Sequence, residues 1–174
     1  MVRSLSGNIQ FAPLLILHFP LLMPTTFVEA EKFNLSYPDP SCIISTADKL
    51  RWYRYKKALL QREVADYVEL DRATYGSYEE AGREYYPIEK MNRIAKLLEV
   101  PVTELLDEYN LFLYQNQGMQ IKAKRKSLHM TQKEYAKYLG VVLGMLKKWE
   151  QNRVRISKSS WERYFKESDK KTPS

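Results

Sequence analysis

The chain has 174 residues, with 28 Lys and Arg against 21 Asp and Glu, for a formal net charge of +7. Hydrophobic residues make up 44% and charged residues 28%, the proportions of a water-soluble globular chain. Cys42 is the one cysteine, so no intramolecular disulfide can form, and His18 and His129 are too few to complete a soft-ligand zinc cluster. Neither a metal nor a cofactor is expected.

The first stretch is awkward to read. Arg3 precedes an apolar run, Phe11 to Met23, and Val28-Glu29-Ala30 resembles a signal-peptidase site. Pro13, His18 and Pro20 interrupt the run, which falls short of the ~20 residues that span a bilayer. The expectation is a flexible segment over 1–44, or a true start at Met23. Ser36 to Pro40 should be an extended linker, because each proline bars helix for the residue before it.

Helical signals follow. Ser45 with Asp48 has capping-box spacing ahead of a helix to about Leu59. Gln61 to Val68 is predicted as a short helix with Val64, Ala65 and Val68 on one face. Asp71 caps a third, to about Glu80, and Gly82 breaks the chain. Pro87 opens a fourth, with Ile88, Met91, Ile94, Ala95 and Leu98 at helical spacing, and Pro101 with Thr103 starts a fifth carrying Leu105 and Leu106. Ile121 to Ser127, a helix capped by Thr131 and ended by Gly140, Leu143 to Gln151, and Ser160 to Lys166 complete the helical series. The fold class is all-α. The predicted units are 45–115 and a shortened 116–168, with 169–174 as a disordered tail.

The chain also repeats itself. At an offset of 71 positions, Gln61, Glu63, Ala65, Tyr67 and Glu79 match Gln132, Glu134, Ala136, Tyr138 and Glu150. Arg54 matches Arg125, and Tyr78 faces Trp149. Two similar small domains are the simplest reading. Their charges differ: residues 47–119 carry eleven basic and thirteen acidic side chains, and residues 120–174 carry fifteen and five. A basic surplus confined to one third of the chain points to a polyanion, although a merely solvated Lys-rich surface has the same composition. Of the thirteen tyrosines, Tyr53, Tyr55, Tyr85 and Tyr86 could stack on unpaired bases. Packing is favoured over stacking, and Tyr75, Tyr78, Tyr135 and Tyr138 fall at core-type positions.

A helix, a capped short helix, a tight turn and a third helix form a helix-turn-helix unit, whose second helix of the motif can lie in a DNA major groove. Both copies resemble the phage-repressor-type (XRE-type) helix-turn-helix family. Its pattern runs Arg, a spacer, Leu-Thr-Gln-x-x-Leu-Ala, a Gly turn, and an aromatic–Glu pair closing helix three. The resemblance covers about 47–109 and 119–166 and implies two lambda-repressor-like domains in tandem. It places Gln61 and Gln132 at phosphates, where helix N-terminal amides add attraction for the anion. Arg72, Ala73 and Ser77 become base-edge residues, Arg72 by a bidentate fork to guanine and Ala73 by a thymine methyl. Arg51, Lys56, Lys57 and Arg62 are placed to reach phosphates. In the second copy the base-edge positions are Leu143 and Gly144, with Lys133, Lys147 and Lys148 for phosphate. The resemblance also implies internal ion pairs, Arg54 with Glu79 and Arg125 with Glu150.

Both copies depart from the pattern, the first at two points and the second at one. Leu60 stands where a Thr cap belongs, Glu69 where the turn takes Gly, and Val142 where helix three takes a polar cap. A non-glycine residue in left-handed geometry costs ~1–2 kcal/mol. The functional expectation is a cytoplasmic, sequence-specific transcriptional regulator of prokaryotic or mobile-element type. The first copy reads double-stranded DNA and the second clamps it. Two domains can mimic a repressor dimer, or the chain itself can form a homodimer. The rival is an antitoxin-like or adaptor module that uses Leu143–Leu146 or the Leu111-Phe112-Leu113-Tyr114 run as a protein interface. An enzyme is disfavoured, since no phosphate loop, paired nucleophile or metal constellation is present. No membrane partner or small-molecule ligand is indicated.

Overall fold

The computed structural model describes residues 25–166, and no strand occurs among them. The α-helices in chain order are α1 (Thr25–Ser36), α2 (Thr46–Lys56), α3 (Gln61–Val68), α4 (Arg72–Gly76), α5 (Ile88–Leu98), α6 (Val102–Leu105), α7 (Glu108–Tyr114), α8 (Gln117–Ser127), α9 (Gln132–Leu139), α10 (Leu143–Glu150) and α11 (Lys158–Tyr164). A 3-10 turn, Pro40–Cys42, separates α1 from α2. Ser45, Asp71, Asp107, Asn116, Thr131 and Ser157 each accept a backbone N–H from the first turn of the helix they precede. Those donors would otherwise be orphaned.

Burial sorts the helices into two cores. The first gathers Leu50, Val64, Ala65, Val68, Tyr75, Tyr78, Tyr86, Met91, Ile94, Ala95, Leu98, Leu105 and Leu106. The second gathers Tyr109, Phe112, Ile121, Tyr135, Ala136, Leu139, Leu146, Trp149, Ile156 and Trp161. Helix α7 serves both. Tyr109 and Phe112 sit in the second core, and the Tyr109 hydroxyl donates to the Ile156 carbonyl at 2.7 Å. Leu111 packs on the first core, and the Asn110 side chain accepts from Tyr86 N–H at 3.2 Å and donates to the Glu84 carbonyl at 3.0 Å.

Several sequence expectations need correction. Thr25–Ser36 is helical where an irregular segment is predicted. Its Phe33 ring lies 5.1 Å from Tyr37 and 5.9 Å from Tyr55, with the Arg51 guanidinium 5.2 Å from its centroid, so tertiary contacts hold it on α2. The expectation for residues 1–24 lies outside the described residues. Helix α7 is unforeseen, and its Leu-Phe-Leu-Tyr run is largely used in packing: Phe112 stands 5.8 Å from Phe165 and 6.2 Å from Trp161. Helix α4 stops at Gly76 rather than near Glu80, where Tyr78 and Glu79 tighten into i→i+3 hydrogen bonds. Tyr75, Tyr78 and Tyr135 are buried, but Tyr138 is 63% exposed on α9 and contributes no core.

Candidate nucleic-acid interface

One guanidinium organises the base of each helix pair. On α2, Arg54 donates through Nε and Nη2 to the two carboxylate oxygens of Glu79, each at 2.6 Å, and through Nη1 to the Leu59 carbonyl at 2.9 Å. On α8, Arg125 donates to Glu150 at 2.7 and 3.3 Å and to the Met130 carbonyl at 3.0 Å. The turns that present those carbonyls also correspond, with Ala58 at φ 52° and His129 at φ 53°. The first pair is the more enclosed, with side-chain exposures of 6% and 1% against 12% and 3%. Burial pushes the Arg54 pKa down, but the hydrogen bonds and charge of Glu79 outweigh it and the net shift is upward. For Glu150, burial pushes the carboxyl up, yet hydrogen bonds from Arg125 and Gln132 hold it below its ordinary value.

The glutamines that the resemblance places at phosphates join these clusters. Gln61 Nε2 donates to Glu79 at 3.0 Å, and Gln132 Nε2 donates to Glu150 at 2.7 Å. A primary amide carries two N–H donors, so each glutamine keeps one that this bond does not use. The signal for this inward bond was present in the sequence, since Gln and Glu recur 18 residues apart in both segments.

The turns that follow also correspond. Glu134 accepts the Thr131 N–H at 2.7 Å while Thr131 Oγ1 accepts the Glu134 N–H at 3.3 Å, a complete capping box. Leu60 has no side-chain acceptor, so only the Glu63 half of the box forms, also at 2.7 Å. Gly140 closes α9 at φ 68°, and Glu69 closes α3 at φ 56°. Left-handed geometry strains a glutamate. Its corner is covered by Arg93, 3.0 Å from the Glu69 carboxylate, and by Lys90, which donates to the Val68 carbonyl at 2.6 Å.

The remaining candidates divide by exposure. Arg62, Arg72, Ala73 and Lys56 lie exposed on the first segment, Lys56 with its ammonium 5.1 Å from the Trp52 ring. No acidic side chain among the described residues pairs with Arg62 or Arg72. Arg51 instead donates to the Glu79 carbonyl at 2.6 Å, and Lys57 pairs with Glu99. Ser77 is half-buried, donates to the Thr74 carbonyl at 2.7 Å and accepts from Arg83 at 2.8 Å. On the second segment Lys133, Gly144, Lys147 and Lys148 are exposed and Leu143 is half-buried against the core. Exposed Lys137 joins them, four residues beyond Lys133 on α9 and so one turn along it, a spacing by which the sequence alone could have marked it.

Residues 121–166 match the helix-turn-helix family model. The matched span runs from Ile121 in α8 to the end of the described chain and includes the whole α9–turn–α10 unit. No curated protein and no solved structure matches the chain.

The helix-turn-helix segment is strongly cationic at its surface. Residues 120–166 hold thirteen basic and three acidic side chains. Of those acids, Glu134 caps its own helix and Glu150 is held by Arg125, which leaves Glu162. Exposed cations therefore dominate α9 and α10, an arrangement that attracts phosphate. No described helix is long and apolar enough to cross a membrane.

Proposed function

We propose that the chain is a cytoplasmic, sequence-specific DNA-binding transcriptional regulator in which two helix-turn-helix units, 45–115 and 116–168, engage double-stranded DNA. The observation that carries this reading is the family match over 121–166, which falls on the segment where exposed lysines outnumber free acids. The first unit's claim to be a second copy rests on the Arg–Glu–Gln–carbonyl cluster that recurs at the same offset. In this reading α4 enters the major groove, with Arg72 forking to a guanine edge and Ala73 meeting a thymine methyl. The second amide N–H of Gln61 and of Gln132 reaches phosphate beside Arg62, Lys133, Lys147 and Lys148. Two units in one chain supply two contacts, or the chain pairs as a homodimer.

In-vitro selection of duplexes with the purified full chain, repeated over a salt series, tests the reading. A defined consensus with a steep salt slope supports it. A protein-interaction module of antitoxin or adaptor type is the second reading, favoured by the exposure of Tyr138, Val142 and Met145. It requires that selection enrich nothing.

A further inference from the structure

A cleft of about 470 Å3 opens at the seam between the two cores. It is walled by Tyr86, Ile88 and Leu106 from the first core and by Leu113, which packs on the second. Arg155, exposed on the loop between α10 and α11, brings a positive charge to it. The guanidinium carbon lies 3.6 Å from the centre of the Tyr85 ring, a stacking distance. No carboxylate among the described residues pairs with Arg155. Clefts of this size, apolar in body and carrying a few fixed polar groups, are where small molecules bind.

The loop that carries Arg155 is fixed by its neighbours. Gln117, itself 5% exposed, donates from Nε2 to the Val154 carbonyl at 2.7 Å, and its Oε1 accepts the Ile156 N–H at 3.0 Å. The Tyr109 hydroxyl holds the Ile156 carbonyl, and Asn152 Oδ1 accepts the Gly118 N–H at 2.9 Å. The residues on either side of Arg155 are therefore pinned to α7 and α8. Its guanidinium is presented by that frame and is not needed as a prop for it.

The chemistry selects an occupant. Tyr85 covers one face of the guanidinium, which leaves the N–H fork in the guanidinium plane for a planar carboxylate. A phosphate is less suited, because it carries about two charges. The buried amides beside the cleft have none to spare for it, Asn110 being engaged by Tyr86, Glu84 and Asp107 and Gln117 by the loop. Aromatic and apolar walls suit a ring as the body of the ligand. We infer that this cleft binds a small aromatic carboxylate, with Arg155 forking the carboxylate and Tyr86, Ile88, Leu106 and Leu113 enclosing the ring. Such a molecule touches both cores at once and braces the seam between them. The inference stands apart from the regulator reading, since nothing in it requires DNA.

The test titrates the full, isotope-labelled chain with naphthoate, with its neutral analogue naphthamide and with inorganic phosphate, and follows backbone amide shifts by NMR. Naphthoate should saturably shift the amides of Tyr85, Tyr86 and Ile156, and naphthamide should bind about ten-fold more weakly, the factor expected when a charge-assisted hydrogen bond is lost. Arg155→Ala should lower naphthoate affinity to the level of the amide and leave the unfolding midpoint unchanged. Arg155→Lys, which keeps the charge and loses the fork, should fall between them. If Arg155→Ala fails to fold, the comparison of naphthoate with naphthamide on the parent chain decides. Absence of saturable shifts at those amides overturns the inference, as does equal binding of naphthoate and naphthamide. Phosphate that shifts the same amides as strongly as naphthoate also overturns it, because the site is then a bare anion contact with no place for a ring.

Discussion

Replacing Glu79 with glutamine tests whether the deeper Arg–Glu cluster holds the first core. The substitution keeps shape and deletes charge. In the native chain the Glu79 carboxylate accepts three side-chain hydrogen bonds, two from Arg54 at 2.6 Å and one from Gln61 at 3.0 Å, with 1% of its side chain exposed. Glutamine leaves the Arg54 guanidinium buried without a counter-charge and turns an amide N–H towards its donors. Breaking a buried pair on one side costs ~3–5 kcal/mol. The corresponding Glu150→Gln should cost less, ~1–3 kcal/mol, because Arg125 is more exposed and its second bond is 3.3 Å long. Urea unfolding followed by far-UV circular dichroism and tryptophan fluorescence reads both. Trp52 is buried on α2, the helix that carries Arg54, and Trp149 and Trp161 belong to the second core, so local losses can be told apart. Replacing both partners, Arg54→Met with Glu79→Leu, should recover much of the loss, since an apolar pair strands no charge. A cost below ~1 kcal/mol for Glu79→Gln, the range of exposed ion pairs, would refute the burial argument. So would a larger cost for Glu150→Gln.

Three further outcomes are expected. The Glu150 carboxyl is held below its ordinary value of 4.5, so its contribution is fully present above the unfolded-state value and is lost as pH falls through the folded one. The urea midpoint should therefore drop between neutral pH and pH ~3, and drop less in Glu150→Gln. Gly118→Ala should destabilise the second unit by ~1–3 kcal/mol in the same assay, because the new Cβ would lie 2.5 Å from the Glu150 carbonyl oxygen, a backbone atom with little freedom to retreat. A midpoint equal to the parent's would show that α8 shifts freely. Arg72→Ala should relax preference at one base pair by ~1–3 kcal/mol, whereas Lys147→Ala with Lys148→Ala should weaken all duplexes alike and reduce the salt slope by ~1–2. If the lysine pair alters the consensus and Arg72 does not, the roles are reversed.

Local signals were legible where the chemistry is local. Ser45, Asp71 and Thr131 announce helix starts because each carries an acceptor one turn before its donor. The Arg and Glu that meet in each of the two segments recur at a constant spacing, which the like clusters explain. What stayed hidden depends on partners distant in sequence. Helix α1 is held by Phe33 against Tyr55 and Arg51, and nothing within α1 marks that docking. The apolar run of α7 reads equally well as an outer face until Trp161 and Phe165 are seen to cover Phe112. Tyr138 matches a core-type position by spacing, yet the core under α9 is closed by Tyr135, Ala136 and Leu139. Ser77 and Arg51 have the right residue types for DNA, but Arg83 and the Glu79 carbonyl engage them. A linear sequence gives no means of seeing that competition.

Because α7 lends side chains to both cores, and Asn110 ties it to the loop before α5, the joint between the units behaves as a splint rather than a tether. A tether lets one module search a volume while the other stays bound, so its second contact depends on linker length. A splint removes that search and sets the span between α4 and α10 when the chain folds. On the proposed reading, in which both units engage DNA, inserting base pairs between their two sites should cost affinity in steps that follow the helical repeat of DNA, with no gradual decline, as expected of a calliper with a fixed opening.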